Sequence, residues 1–547
     1  MARTTRQDRV RELQRTLYRA AKADPGRRFH ALYDKVYRRD VMGWAWELVR
    51  ANKGAAGIDR QTIADIEEYG VDKLLGELVA DLKDGSYRPL AARRVFIPKP
   101  GSPTEQRPLS IPAVRDRIVQ AAVKTVIEPI FEADFLPCSF GFRPKRSQHD
   151  ALQVLIDEAW DGRRWIAESD VSDCFGAIPH DGLMAAAEER IVDRHVLKLV
   201  RAMLRAGVME HGVIRHEVTG TPQGGVLSPC LCNVYLHRLD RQWTERGQGV
   251  LVRFADDLLA MCKTQQEAEA ALAAMRLLLG ELGLQLKDSK TRIVYLKEGG
   301  EGVDFLGFHH RWVRAKRARH VQFLARWPTQ RAMQRARDRV GELTARERLL
   351  LPVEEIVQDL NGYLRGWAGY FRYGNSARHF NLIEHHAHNR LALFVAKRHQ
   401  RTRAYGWRVV TYASPNRAGL ISLSGSVVAP RPSPGVAREM SRMPTVKNVG
   451  EPCAGEPHAR IDVAAGGNQC QSATPCGAGA SRRPYSPGVP SSTDIGYSSR
   501  CRPQRLPCAS ISTVMRSGLL RSAGLACDGA RRPARGRTHE PTSTARS

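Results

Sequence analysis

The chain has 547 residues, 42% of them hydrophobic, and carries 85 Lys and Arg against 57 Asp and Glu, a formal net charge of +28. The cations are spread along the whole length, so the excess points to a large polyanionic partner, nucleic acid first among them, rather than to a basic tail. No run of 18 apolar residues exists, which excludes a membrane-spanning helix, and the eleven cysteines include no CxxC pair, which argues against a zinc module or a disulfide framework.

The length allows roughly three to four domains. The basic N-terminus, residues 1–19, lacks the apolar core of a signal peptide, so a cytoplasmic location is expected. Residues 1–50 read as basic helices with Trp44, Trp46, Leu48 and Val49 on an apolar face. A glycine-punctuated loop, Asn52–Asp59, leads to helical spacing over 61–83. Next, Arg93–Ile97 enters a Pro/Gly turn and a second strand leaves at Arg107–Pro112. Lys99 and Arg107 flank this hairpin, where Lys offers a point charge and Arg a bidentate fork suited to a triphosphate. A helix is expected over 114–132, an irregular loop over 137–144 and another helix over 150–160.

Residues 164–171 have strand character, and alternation places Ile166, Glu168 and Asp170 on one face with Asp170 at the strand end. A hairpin is expected over 207–218. Gly220–Pro229 follows, with two adjacent glycines that allow close backbone approach, and with Ser228 as N-cap and Pro229 in the first turn of the next helix. Then comes Val250–Met261, two apolar runs joined at Asp256 and Asp257. Such runs joined by about two turn residues read as a hairpin holding two anions at its tip. Buried carboxylates need a positive partner, and a hard divalent cation with oxygen ligands supplies one. A solvated Asp-Asp surface turn is the alternative for this run taken alone.

Thr264 and Glu267 read as a capping box opening an amphipathic helix, and Lys287, Lys290 and Arg292 follow it. Residues 329–400 change character to all-helical. Arg331, Arg335 and Arg339 repeat at i, i+4, i+8, and Ile356, Leu360, Leu364 and Trp367 form an apolar stripe. Arg365 and Arg372 are interleaved with Tyr363, Trp367, Tyr370, Phe371 and Tyr373, a mixture suited to unpaired RNA bases, with Trp367 and Tyr363 expected mainly in the core. Residues 451–547 are rich in Pro, Gly, Ser, Ala and Arg and read as a disordered tail.

Several blocks, in order from about Trp44 to Trp407, resemble the reverse transcriptase–maturase proteins encoded by bacterial group II introns. They are Phe254-Ala255-Asp256-Asp257, with Phe where the family more often has Tyr; Gly220–Pro229; Asp170–Phe175; Arg107–Pro112, with Ser110 replacing a Gly; and Asn361–Gly374. The resemblance implies an α+β right-hand polymerase, fingers and palm with an antiparallel sheet followed by an all-helical thumb. The implied boundaries are 1–85 for an N-terminal helical extension, 86–310 for fingers and palm, 325–410 for the thumb or maturase domain, 411–450 for a basic extension and 451–547 for the tail. It implies RNA-directed DNA polymerase activity with maturase activity in intron splicing and retromobility. The implied metal site holds two Mg²⁺ at Asp170, Val171, Asp256 and Asp257, the three aspartates being catalytic and Asp257 assisting. Lys99, Arg107, Phe175, Gln223 and Lys290 would bind the nucleotide, with Phe175 excluding a 2′-hydroxyl and Lys290 a candidate proton donor to pyrophosphate. Phe305–Phe308 would grip the primer, and Arg331, Arg335, Arg339, Arg365 and Arg372 would bind RNA. Implied partners are group II intron RNA, a DNA target and primer, and deoxynucleoside triphosphates, with a homodimer allowed and no membrane. The tail shows no His-Asn-His pattern, so no endonuclease is expected. Two other readings stay open on the sequence: an RNA-binding splicing chaperone without polymerase activity, and a domesticated defence or CRISPR-associated reverse transcriptase.

Overall fold

The computed structural model describes residues 5–98, 106–210, 212–216, 219–316, 320–412, 419–431 and 433. Lys99, most of the expected basic extension and the whole 451–547 stretch lie outside the described residues.

The strands are β1 (Ala92–Pro98), β2 (Gln106–Ile111), β3 (Trp165–Asp170), β4 (Val208–Glu210), β5 (Val213–Arg215), β6 (Val250–Phe254), β7 (Asp257–Cys262), β8 (Arg292–Tyr295), β9 (Val303–Phe305), β10 (Phe308–Arg314) and β11 (Gln322–Pro328). They make three sheets, in the orders β2-β1-β4-β5, β6-β7-β3-β8 and β11-β10-β9. All pairings are antiparallel except β1 with β4. Mixed helix and sheet with antiparallel sheets is the architecture expected from the sequence.

The central sheet, β6-β7-β3-β8, is apolar on both faces because helices cover both. Ala167, Leu251, Leu258 and Ala260 enter one core, together with the nearly all-buried helix Val114–Glu132, the N-terminal helix Arg6–Ala23 and the helix Ser228–Arg246. Ile166, Val252, Leu259 and Met261 point the other way, into a second core shared with Phe308, Trp312, Leu360, Trp367 and Phe380. The period of two therefore divides the apolar side chains of β3, β6 and β7 between two layers. The second core joins the sheet to the C-terminal helices Gln330–Leu343, Val353–Phe371 and Ala377–Arg398. Trp367 is buried in it and Tyr363 packs partly buried at its edge, in line with the apolar stripe.

Helix starts follow local chemistry. Thr5 with Asp8, Thr62 with Asp65 and Ser147 with Asp150 each close a reciprocal capping box. Thr264 caps its helix through the Glu267 amide, while the Glu267 carboxylate accepts instead from the Lys263 amide, one residue before the cap. Ser228 departs from its expected role. It lies inside the helix, whose N-cap is Leu227, and its hydroxyl donates 2.9 Å to the Pro222 carbonyl. It thus ties the glycine loop back onto itself.

Candidate active site

The register of the central sheet builds the site. Asp170, the last residue of β3, lies opposite Asp257, the first of β7, and Asp257 closes the β6–β7 hairpin opposite Phe254. Ala255 and Asp256 are the two turn residues, with Ala255 in the left-handed region at φ +56. The Val171 amide donates 3.1 Å to the Asp256 carbonyl, which joins the end of β3 to the turn. The three aspartates so come together from stretches more than eighty residues apart, and Val171 can offer only its backbone.

Electrostatics match that crowding. Burial first, and the Asp170 charge second, raise the Asp256 pKa above the usual carboxylate range. Burial, Asp256 and Asp170 push Asp257 up to about 8. The counterweight is Lys290, whose ammonium pairs closely with Asp170. Burial works against that ammonium, but the Asp170 hydrogen bond and charge hold its pKa above the ordinary lysine value. The charge of Arg107, exposed at the start of β2, also favours ionised Asp256. Among the described residues no three His, Cys, Asp or Glu side chains form a ready-made metal cage. Mg²⁺ is held by one or two carboxylates together with waters and substrate phosphates, so paired, partly buried carboxylates fit it in chemistry and charge.

The glycine loop 220–225 knits the neighbours together. Its Thr221 amide donates to the Phe175 carbonyl at 2.6 Å, and Ser110 on β2 donates its amide to the Gln223 carbonyl at 2.6 Å. Gln223 also donates to Asp173 at 3.4 Å. Gly224 sits at φ +111 with the Ser110 carbonyl 2.6 Å from where a Cβ would be, so both its conformation and its contact demand glycine. The half-buried Phe175 meets Phe142 edge to face, centroids 6.4 Å apart.

Sequence reasoning missed the frame beneath the turn. Arg253, between two apolar residues of β6, is fully buried and forms a bidentate pair with Asp240 at 2.7 and 2.6 Å. It also donates to Asn233, to the Ser139 hydroxyl at 2.8 Å and to the Ala255 carbonyl at 3.2 Å. Burial opposes its charge, yet Asp240 holds its pKa above that of free arginine. The Phe140 and Arg253 amides bond across to the Arg253 and Cys138 carbonyls, and a Cβ on Gly141 would fall 2.4 Å from the Ala255 nitrogen. The signal was an arginine inside a buried run, which calls for buried acceptors, a carboxylate first among them.

The expected RNA-binding arginines are scattered in kind. Arg331 and Arg365 are exposed, whereas Arg335 is half-buried and its pKa is lowered by that burial. Arg339 pairs with Glu342 at 2.6 Å. Arg372 lies 5.3 Å from the centroid of Tyr373. They do not form one continuous solvent-facing stripe.

Residues 97–310 match the family model for reverse transcriptase (RNA-dependent DNA polymerase), and residues 333–412 match the group II intron maturase-specific domain. Protein YkfC of Escherichia coli is 33% identical over 385 residues, 61% of this chain and 96% of that protein. The group II intron-encoded protein LtrA of Lactococcus lactis is 39% identical over 215 residues, 39% of this chain but 35% of LtrA. A 91 kDa protein in the cob intron of Schizosaccharomyces pombe is 34% identical over 209 residues, 38% of this chain and 25% of that protein. With a reverse transcriptase domain and a maturase-specific domain matched on one polypeptide, the chain belongs to the family of group II intron-encoded reverse transcriptases and maturases.

Proposed function

We infer that the chain is an RNA-directed DNA polymerase that also binds group II intron RNA to assist splicing and retromobility. The observation that carries this is the meeting of Asp170, Asp256 and Asp257 at one end of the central sheet, with Lys290 against Asp170. In this reading the first sheet is the fingers, the central sheet the palm and the C-terminal helices the thumb. Asp170 and Asp256, supported by Asp257 and the Val171 carbonyl, are the residues that would hold two Mg²⁺. When bound, these ions supply Lewis acidity for the primer 3′-hydroxyl and for the pyrophosphate leaving group.

The chain's own groups orient and neutralise. Arg107 and Lys99 take the triphosphate charge, the first as a fork and the second as a point. Phe175 lies under the sugar, where its ring leaves no room for a 2′-hydroxyl, and Gln223 lines the base pocket. Lys290, protonated because of Asp170, is placed to give a proton to the departing pyrophosphate. The helical module and the net positive charge supply the grip on intron RNA, and a DNA strand serves as primer.

Primer extension on an RNA template with Mg²⁺ and deoxynucleotides tests the reading. The full chain should extend the primer. Asp256→Ala should lower the rate by about a thousandfold, the several kcal/mol that metal-assisted charge stabilisation contributes. Extension that survives Asp256→Ala would remove the carboxylates from the chemistry.

A further inference from the structure

The third sheet has a second face that the polymerase reading does not use. Alternation along β10 buries Phe308, His310 and Trp312 and turns His309 and Arg311 outward. Register sets His309 opposite Trp327 on β11 and opposite Asp304 on β9, so the three form one row across the sheet. His309 Nδ1 is 2.6 Å from an Asp304 carboxylate oxygen, which fixes the imidazole and leaves Nε2 for another partner. The Trp327 ring lies 5.3 Å from His309 and runs nearly parallel to His379 of helix Ala377–Arg398, at 12° with centroids 6.2 Å apart.

These rings, with Arg311 and with Arg337 of helix Gln330–Leu343, line a cleft of about 600 Å³. That volume is in the range of sites for a nucleotide-sized ligand. Arg311 and Arg337 form no ion pair among the described residues, although Arg337 donates to the neutral Gln334 side chain at 2.7 and 3.2 Å. The lining's two carboxylates, Asp304 and Glu301, are engaged by His309 and Arg292, and His379 Nδ1 is buried without a hydrogen-bond partner. Flat rings that are half-exposed ask for a flat, uncharged partner. Two guanidinium groups without counter-ions ask for an anion. Carboxylate or lipid ligands satisfy only the second demand, and an apolar ligand only the first. A nucleobase with its flanking phosphates satisfies both.

We propose that this cleft binds an unpaired nucleotide of a single-stranded nucleic acid, its base stacked on Trp327 beside His379 and its phosphates against Arg311 and Arg337. The inference rests on the nucleic-acid-binding reading of the chain but not on its carboxylates. Nothing in the row distinguishes ribose from deoxyribose, so the strand is RNA or DNA by the same chemistry.

Binding of labelled single-stranded RNA and DNA oligomers of about ten nucleotides to the full chain tests it, beside a blunt duplex of the same length. Trp327→Ala should weaken one or both single strands by about tenfold, the loss of one stacked base, and change duplex binding less than twofold. Loss for only one strand type identifies the source. Unchanged affinity for both single strands, or an equal loss for the duplex, overturns the proposal. A second measurement needs no substitution. Ultraviolet crosslinking of a halogenated-uridine oligomer should map to the peptides carrying Trp327 or His379, and crosslinks confined to other peptides overturn it. Primer extension on the same preparation separates the two readings. A cleft that fails in a protein that extends primers leaves the polymerase reading intact, and a cleft that binds in a protein that does not extend them leaves the cleft intact.

Discussion

Arg253, under the carboxylate turn, and Arg326, on β11 beside the C-terminal helices, are both buried, yet they are accommodated in opposite ways. Arg253 meets a bidentate carboxylate, an amide, a hydroxyl and a carbonyl. Arg326 pairs with no carboxylate among the described residues. Its Nε donates 2.7 Å to the Tyr373 carbonyl, its guanidinium lies 5.6 Å from the Phe308 centroid, and Nη1 has no partner. Burial accordingly pulls the Arg326 pKa down to about 10, whereas Asp240 raises that of Arg253. Beside Arg326, His310 is fully buried and neither ring nitrogen completes a hydrogen bond. The turn that carries the aspartates is thus over-determined, while the junction with the C-terminal helices retains unsatisfied polar groups. A frame that must hold two anions in place repays a full network, because a partly satisfied one would let the turn relax.

The largest expected effect breaks that network. Arg253→Met strands Asp240 as an uncompensated buried charge and should cost about 3–5 kcal/mol in chemical denaturation. Adding Asp240→Leu removes the stranded charge and should recover most of the stability. The double variant still leaves the Ala255 carbonyl and Ser139 hydroxyl untied, so its primer extension should stay about a hundredfold down, as for a reacting group displaced by about 1 Å. Wild-type extension by the double variant would reduce Arg253 to a purely structural role.

The second effect probes the other region through pH. Burial first, then the charges of Arg326 and His309, lower the His310 pKa to about 3, below the value of about 6.5 for an unfolded histidine. Between those values the unfolded chain binds the proton and the folded one does not, so stability rises with pH. The contribution is complete above about pH 6.5 and is lost as pH falls toward 3. His310→Leu should therefore flatten the dependence by about 1.4 kcal/mol per pH unit across pH 4–6, read as the difference in denaturation free energy between variant and parent. Parallel pH profiles would mean that His310 is protonated at no cost.

What the sequence disclosed follows from range. The hairpin at Phe254–Asp257, the strand ending at Asp170 and the apolar stripe through Trp367 depend on periods of 2 and 3.6, which any short window displays. The attachment of β1 to β4 depends on a pairing across more than a hundred residues, and only the hairpin over 207–218 was legible. Arg253 passed unremarked inside the apolar run, and its partner Asp240 sits on another element with no local pattern to link them. Ser228 before Pro229 looked like a cap because both fit that rule. The hydroxyl went instead to the Pro222 carbonyl, which also accepts the Gly225 amide, because the sharply turned glycine loop brings that oxygen back beside the start of the helix. The three aspartates proposed as the site were legible as letters, and the frame that positions them was not.

The smallest effect sharpens the comparison most directly. Arg326→Met removes a guanidinium that burial already disfavours, and it removes one hydrogen bond to Tyr373 together with the contact over Phe308. The hydrogen bond is worth about 1.5–3 kcal/mol as a bond from a charged donor, and the desolvation relieved is of similar size. Methionine is flexible enough to fill most of the vacated volume. The net change should lie within about 1 kcal/mol, several-fold less than for Arg253→Met although both replacements delete a buried arginine. Loss of a neighbouring positive charge should also raise the His310 pKa, so the variant should lose less stability than its parent as pH falls from 6 to 4. A cost for Arg326→Met equal to that for Arg253→Met would show that the carbonyl and the aromatic face hold this charge as firmly as a carboxylate does, and the contrast between the two regions would then fail.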